Sequence, residues 1–241
     1  RGSFGSNMLI ASTWRHREEM KRIGRGNAER RWDVLPQQPA LAYDLAHNRL
    51  IVTAAMLQAP VFDPAMPLAG QYGAFGALVG HEISHAVDGR GRMVDADGNV
   101  RDWWTGAEAG AWDVTAQRVV SLYDGLVYPG LPALKVNGKL TRDENVADLA
   151  GLELARAALV AAEPKGGTQA DKAFYTGWAQ VWAQQVTADE AQRRSLQDVR
   201  APGQWRTNAP IMQQGGFGSA YGCKVGTPMQ PKPDARISIF R

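Results

Sequence analysis

The spacing of apolar residues along the chain is mostly the spacing of helices. In the clearest case Phe174, Trp178 and Val181 recur at steps of four and three residues, which places them on one helical face. Short runs that favour strands stand only near the start, at 41–43 and 50–53. The pattern predicts a mainly α fold with a small β-sheet, in the α+β class. The predicted helices span 8–25, 106–123, 144–162 and 170–185, and a hairpin is predicted at 92–101.

One more predicted helix carries two histidines four residues apart. It begins in a stretch of small and apolar residues, 70–80, continues through His81-Glu82-Ile83-Ser84-His85, and ends at the glycines 89 and 91. Two imidazoles one turn apart on a helical face can bind one metal ion. Glu82 between them can take a proton from a metal-bound water. This arrangement indicates a zinc peptidase.

A zinc site of this kind needs a third protein ligand, and the chain offers two carboxylate candidates. Its single cysteine, Cys223, makes thiolate ligation a poor alternative. Glu108 follows His85 by 23 residues, a spacing that short-linker zinc peptidases use. Glu144 is favoured, because Asp148 lies one helical turn further on and can accept the N–H of a ligand histidine. Glu108 stays open as the alternative.

These motifs resemble those of the neprilysin and endothelin-converting-enzyme family of zinc metallopeptidases. That family pairs H-E-x-x-H-x-x-D with a later E-N-x-A-D, and both patterns stand here, at 81–88 and 144–148. The resemblance runs from Asn7 to the end of the chain. It includes the segments 102–104, 179–182, 201–206 and 223–231.

The resemblance implies a thermolysin-like zincin catalytic domain that binds one Zn²⁺ per chain. The implied zinc ligands are His81, His85 and Glu144, and the implied general base is Glu82. The resemblance further implies two aspartates that hydrogen-bond to the ligand histidines. These supporting residues are Asp88 and Asp148, of which Asp148 is the one expected to contribute to catalysis.

The resemblance also implies how a peptide substrate is held. Arg206 would contact the substrate near the metal, while Val181 and Trp182 would border the pocket for the side chain just after the scissile bond. Such a pocket favours cleavage of short peptides on the amino side of bulky hydrophobic residues. Weaker candidates for its lining are Met56, Val61 and Leu78.

Two positions depart from the family pattern. Arg200 stands where the family carries a histidine that donates a hydrogen bond to the oxyanion of the reaction intermediate. Arginine is a permanently charged donor, but its length and planarity differ from those of imidazole, so impaired activity is expected. In the edge strand that binds peptide, Ala40 and Leu41 begin a run that lacks the usual asparagine, which leaves the backbone as the expected contact.

These departures leave two alternatives to a working endopeptidase. One is a catalytically silent zinc- and peptide-binding relative of such enzymes, which Arg200 and Ala40 favour. The intact Glu82 argues against it, since zinc binding alone would not require that residue. The other is a fragment in which the helices matter and the metal does not.

The chain has 241 residues, and the resemblance covers only the C-terminal portion of a family member. Residues 1–6 are interpreted as the remnant of an expression tag. Residues 7–241 are interpreted as the C-terminal part of a neprilysin-like catalytic domain whose N-terminal half is absent. The expected partners are a peptide substrate and, to cover the cleft, that N-terminal half or another chain.

Charge and composition exclude other classes of partner. The net charge of +3 is small and scattered, so it does not predict nucleic-acid binding. No apolar run in the sequence approaches the length of a membrane span. The lone Cys223 excludes an internal disulfide, whereas the disulfide-rich members of the family are animal surface enzymes. We therefore expect a bacterial protein, with a periplasmic or other extracytoplasmic location.

Overall fold

The computed structural model describes residues 2–24 and 34–240, and the chain divides into a unit of residues 1–35 and a unit of residues 36–241. Within the described residues of the first unit, Phe4–Met20 form a helix, α1. Ser3 caps this helix, because its hydroxyl accepts a hydrogen bond from the backbone N–H of Ser6. The helix predicted at 8–25 therefore begins and ends earlier than expected, and Arg25 lies outside the described residues.

The second unit begins with an antiparallel pair of strands, β1 (Leu41–Asp44) and β2 (Arg49–Val52). Leu41 lies opposite Val52, and the ladder continues with a hydrogen bond from the N–H of Thr53 to the carbonyl of Ala40. Both strands lie within one residue of the predicted positions. The pair forms a two-stranded sheet on its own.

Helices make up most of the rest of this unit. A π-helical turn at Tyr72–Gly76 joins α2 to α3, and a two-stranded antiparallel sheet, β3 with β4, lies between α4 and α5. The mainly α fold with small sheets is thus confirmed. The elements are α2 Leu68–Gln71, α3 Ala77–Ser84, α4 Gly106–Tyr123, β3 Val127–Tyr128, β4 Leu131–Lys135, α5 Arg142–Ala162, α6 Gly167–Val181, α7 Ala188–Gln197, α8 Gly203–Gln213 and α9 Gly215–Tyr221. Short 3₁₀ turns lie at Ala54–Met56, His85–Val87, Gly91–Met93 and Pro233–Ala235.

Helix α5 is the centre of the second unit because it contributes to both hydrophobic clusters. Val146 and Leu149 pack in one cluster with residues of α4 and α8. Leu152 and Leu159, further along the helix, pack in the other cluster with residues of α3 and α6. The apolar residues thus occupy different faces as the helix advances, and α5 is buried along most of its length.

Glycine allows α3 and α5 to approach closely. A Cβ at Gly151 would collide with the carbonyl oxygen of Ala77 and would lie 2.5 Å from the backbone nitrogen of His81. A Cβ at Gly80 would in turn lie 2.8 Å from the carbonyl oxygen of Gly151. The backbones of the two helices are therefore in direct contact beside His81.

Three local predictions differ from the structure. Helix α6 ends at Val181, whereas the pattern predicted a helix to 185. The predicted hairpin at 92–101 is reduced to a single bridge between Val94 and Val100, because Asp95 closes the turn by accepting backbone N–H groups. The sheet formed by β3 and β4 was not predicted, since its strands flank a Pro-Gly turn in a segment without alternating apolar residues. Across the described ranges 2–24 and 34–240, no helix is both long and apolar enough to span a membrane.

Candidate metal centre

The two histidines of the predicted motif lie at the end of α3. His81 belongs to the last turn of the helix, and His85 begins the 3₁₀ turn that follows. The centroids of the two imidazole rings are 5.1 Å apart, and the ring planes are nearly perpendicular at 89°. His81 is only 3% exposed, because α5 covers it. Both rings therefore lie on one side of α3, as their spacing predicted.

A carboxylate holds one nitrogen of each imidazole. His81 Nδ1 lies 2.8 Å from Asp148 Oδ1, and His85 Nδ1 lies 2.7 Å from Asp88 Oδ2. The other oxygen of Asp88 accepts the backbone N–H groups of Arg90 and Gly91 at 2.7 and 2.8 Å, which fixes its orientation. A carboxylate partner keeps the proton on Nδ1 and leaves the lone pair of Nε2 free to bind a metal.

Glu144, on the first turn of α5, completes the group. One side-chain nitrogen or oxygen from each of His81, His85 and Glu144 lies within 4.8 Å of the others. Glu144 Oε2 is buried and receives no hydrogen bond, although His81 Nε2 lies 3.4 Å away and Arg200 Nε 3.0 Å away. A buried carboxylate oxygen that converges with two imidazole nitrogens fits a divalent cation that prefers nitrogen and oxygen ligands, as Zn²⁺ does.

The pKa values at this group reflect its negative surroundings. Burial lowers the pKa of His81, but the hydrogen bond with Asp148 and the close contact with Glu144 outweigh burial and raise the pKa to about 9. Burial raises the pKa of Glu144, but its contacts with His81 and Arg200 outweigh burial and lower it below the ordinary value. The carboxylates thus stabilise positive charge at the position where the ligand atoms converge.

Glu82 is held from the side of β1. Its Oε2 accepts the backbone N–H of Tyr43 at 3.0 Å. Thr53, directly after β2, donates its backbone N–H to the carbonyl of Ala40 and accepts the N–H of Ala40 on its hydroxyl. In this antiparallel register the N–H and C=O of Leu41 and Tyr43 therefore point to the opposite edge of β1, which is free of any other described strand. The carboxylate of Glu82 therefore lies against that free edge. No pattern along the chain predicts this contact, because it depends on how β1 docks on α3.

The alternative ligand Glu108 lies elsewhere. It is exposed at the start of α4, where Thr105 and Glu108 form a capping box: the Thr105 hydroxyl accepts the N–H of Glu108, and Glu108 accepts the N–H of Thr105. The backbone contacts with Thr105 lower the pKa of Glu108. The structure brings Glu144, and not Glu108, to the two histidines.

The two arginines implied by the resemblance contact different carboxylates. Arg206 is 6% exposed and donates hydrogen bonds of 2.7 Å from Nε and Nη2 to the carboxylate of Asp148. Its guanidinium carbon also lies 3.6 Å from the ring centroid of Trp182. Arg200 is half-exposed and reaches Glu144. Sequence reasoning placed both arginines near the metal but did not predict these partners.

The remaining predicted contact residues lie beside the group. Leu41 and Trp182 border the same hydrophobic cluster, to which α3 contributes Leu78. Ala40 precedes β1 and is held in the ladder by Thr53. The cluster also contains Met56, Val61 and Val181.

Comparisons with known proteins agree with this geometry. The family model described as Peptidase family M13 matches residues 42–237. The neutral endopeptidase of Lactobacillus helveticus is 35% identical over 198 residues, which are 82% of this chain and 29% of that protein. Neprilysin-1 of Caenorhabditis elegans is 34% identical over 200 residues, covering 78% of this chain and 26% of that protein. The chain thus spans less than a third of the length of these relatives.

Solved structures give the same result. PepO from Lactobacillus rhamnosis HN001 superposes with a TM-score of 0.79 at 32% identity, covering 87% of this chain and 32% of that one. The Mycobacterium tuberculosis zinc metalloprotease Zmp1, solved with an inhibitor, gives a TM-score of 0.81 at 30% identity, covering 88% and 34%. The family model, these relatives and the shared fold confirm the resemblance: the chain belongs to peptidase family M13.

Proposed function

We propose that this chain carries the metal centre of a zinc-dependent endopeptidase that hydrolyses short peptides. The observation that carries the proposal is the convergence of His81, His85 and Glu144, with Glu82 between the two histidines at the end of α3. The names of two relatives, a neutral endopeptidase and a zinc metalloprotease, support it.

The three ligand side chains fit zinc in number and in type. Two imidazoles and one glutamate are the protein ligands of thermolysin-type sites, which keep a further position open for water or substrate. Asp88 and Asp148 hold the imidazoles in the orientation that aims Nε2 at the ion. Zinc bound there supplies Lewis acidity, which polarises the peptide carbonyl and lowers the pKa of water.

Glu82 is the proposed general base. Its carboxylate takes a proton from the attacking water and delivers it to the nitrogen of the leaving amine. The hydrogen bond from the Tyr43 N–H to Oε2 fixes the position of the side chain.

The free edge of β1 is the proposed binding site for the peptide backbone. The N–H and C=O of Leu41 lie on that edge, and an extended peptide can pair with them while Ala40 supplies no side-chain anchor. Val181 and Trp182 border the apolar cluster next to α3. We therefore propose a preference for a bulky hydrophobic side chain on the carboxyl side of the scissile bond.

The proposed roles of the two arginines differ because their exposure differs. Arg206 is buried against Asp148, and we propose that it contacts the substrate from the buried side of the site. Arg200 is half-exposed, so its remaining N–H groups can reach the oxygen on which negative charge develops. Because the chain is a small part of its relatives' length, we also propose that a further segment or a second chain completes the cleft.

The test is cleavage of a quenched fluorescent peptide library by the zinc-loaded protein and by Glu82→Gln. We expect Glu82→Gln to keep one zinc per chain, measured by elemental analysis, while turnover falls by about 10²–10⁴-fold. Equal cleavage by the two proteins would contradict the assignment.

One observation favours a second candidate, a catalytically silent zinc- and peptide-binding protein. Arg200 is engaged by Glu144, and no histidine stands in its place. Zinc and peptide binding without cleavage by the native chain, together with cleavage by Arg200→His, would support that candidate.

A further inference from the structure

The guanidinium of Arg200 contacts a proposed metal ligand directly. Its Nε lies 3.0 Å from Glu144 Oε2, the oxygen that also lies 3.4 Å from His81 Nε2. The Glu144 side chain is 14% exposed, whereas that of Arg200 is 50% exposed. Arg200 thus reaches from solvent onto the carboxylate that is needed for metal binding.

The other arginine of the site does not compete in this way. Arg206 donates both of its hydrogen bonds to Asp148, which holds His81 and is itself outside the ligand group. Asp148 therefore neutralises the positive charge of Arg206, and Asp148 is not one of the proposed metal ligands. Two arginines form described ion pairs with Glu144 and Asp148. Of these two, Arg200 contacts an oxygen of a proposed metal ligand.

The formal charges of the site indicate how the contact between Arg200 and Glu144 affects cation binding. The imidazoles apart, the two guanidinium groups and one divalent ion together carry four positive charges, which balance four carboxylates. Without Arg200 the same site would carry one excess negative charge, and a cation would bind more tightly to it. The four carboxylates are those of Glu82, Asp88, Glu144 and Asp148.

The position of Glu144 itself does not depend on Arg200. Its backbone belongs to α5, which the glycine contact with α3 fixes beside His81. Removal of the guanidinium therefore leaves the carboxylate on the same helical turn, facing the same imidazole. The expected result of that removal is a gain of negative potential and not a loss of the ligand.

We propose that Arg200 lowers the affinity of the site for zinc by sharing the Glu144 carboxylate with the ion. A ligand that gives part of its charge to a guanidinium neutralises the ion less, so the bound ion stays a stronger electrophile. This inference rests on the proposed function, because it takes His81, His85 and Glu144 as the zinc ligands.

The test measures zinc affinity and does not depend on turnover. Metal-free protein is titrated with zinc chloride against a competing chromophoric chelator. We expect Arg200→Gln to bind zinc on the order of tenfold more tightly than the native chain, the size expected for one partly solvated charge near a divalent ion. Arg200→Lys, which keeps the charge, should bind zinc with an affinity close to the native one.

The matched control is Arg90→Gln. The Arg90 side chain is 76% exposed, and its Nε lies 3.7 Å from a carboxylate oxygen of Asp143, the neighbour of Glu144. Arg90→Gln therefore removes the same charge as Arg200→Gln without changing a contact of a proposed ligand. Its zinc affinity should equal that of the native chain. If it binds more tightly to the same extent as Arg200→Gln, net charge is the cause and the proposal is overturned.

The other outcomes are also decisive. Equal or weaker zinc binding by Arg200→Gln, or tight binding by Arg200→Lys as well, would overturn the role of Arg200 while leaving the metal site intact. Failure of the native chain to bind zinc would overturn the proposed function itself. Arg200→Ala carries the same expectation as Arg200→Gln, and circular dichroism confirms that each variant is folded.

Discussion

Arg206 donates two hydrogen bonds of 2.7 Å to the buried carboxylate of Asp148. The same carboxylate lies 2.8 Å from His81 Nδ1, and the guanidinium stacks on Trp182. A continuous set of contacts therefore runs from the end of α6, through α8 and α5, to a proposed zinc ligand on α3. The orientation of His81 depends on side chains from three other helices or their ends.

Asp148→Asn should damage both stability and metal binding. An amide cannot neutralise the buried Arg206, and an uncompensated buried charge costs about 3–5 kcal/mol of the free energy of unfolding. Loss of the carboxylate behind His81 should weaken zinc binding by about 10–100-fold. Urea unfolding of the metal-free protein and zinc titration measure the two effects.

Asp88→Asn is the control for that variant. Asp88 holds His85 and two backbone N–H groups but no buried arginine, so zinc affinity should fall without a comparable loss of stability. Equal destabilisation by both variants would show that the Arg206 ion pair is not the cause.

Glu144→Ala should abolish stoichiometric zinc binding, because it removes one of three protein ligands. Glu108→Ala should instead retain zinc, since Glu108 caps α4 away from the histidines. Its cost should be a small loss of stability, because the capping box with Thr105 is removed. Elemental analysis and thermal unfolding distinguish the two, and zinc retained by Glu144→Ala would return Glu108 to consideration.

Gly151→Ala should separate α3 from α5 and so disturb the metal centre. The added Cβ would collide with the carbonyl oxygen of Ala77 and crowd the backbone nitrogen of His81, neither of which can move without shifting α3. We expect a loss of about 1–3 kcal/mol in the free energy of unfolding, together with weaker zinc binding.

The matched control for this packing contact is Gly110→Ala. Gly110 lies within α4, and a Cβ there would meet nothing within 4 Å. Because alanine is the better helix former, this variant should gain up to about 1 kcal/mol. A similar loss in both variants, seen in urea unfolding, would refute the proposed contact between the two helices.

Arg200→Ala should lower kcat at saturating zinc on the order of a hundred-fold, if Arg200 donates to the developing oxyanion as proposed. Saturating zinc separates this effect from any change in metal affinity. Arg200→His should retain more turnover than Arg200→Ala, because imidazole can also donate. An unchanged kcat in Arg200→Ala would remove Arg200 from the reaction.

The local geometry of the site follows from the sequence alone. The helical period places His81 in α3 and His85 in the turn that continues it on one face, wherever that helix lies. It also places Asp148 one turn after Glu144. The strands β1 and β2 and the helices α4 and α5 were predicted within two residues for the same reason. Their apolar and polar residues repeat with the period of the structure they form.

The contacts between distant segments were decided by the tertiary structure. Spacing along the chain left both Glu108 and Glu144 open, and the packing of α3 on α5 through Gly80 and Gly151 resolved the choice. The end of α6 at Val181, earlier than predicted, was also decided by packing between distant segments. A Cβ at Gly203 would collide with the carbonyl oxygen of Trp182, so α8 packs directly on the backbone where α6 stops.

The sequence by itself therefore determined which candidate metal ligands the chain offers and how they are spaced along its helices, because backbone geometry fixes spacings of a few residues. Only the tertiary structure decided that Arg200 reaches Glu144, that Arg206 neutralises Asp148, and that Tyr43 holds Glu82. Such pairs depend on how closely helices and strands can pack. That closeness is set by side-chain volume at the contacts, which no repeating pattern along the chain records.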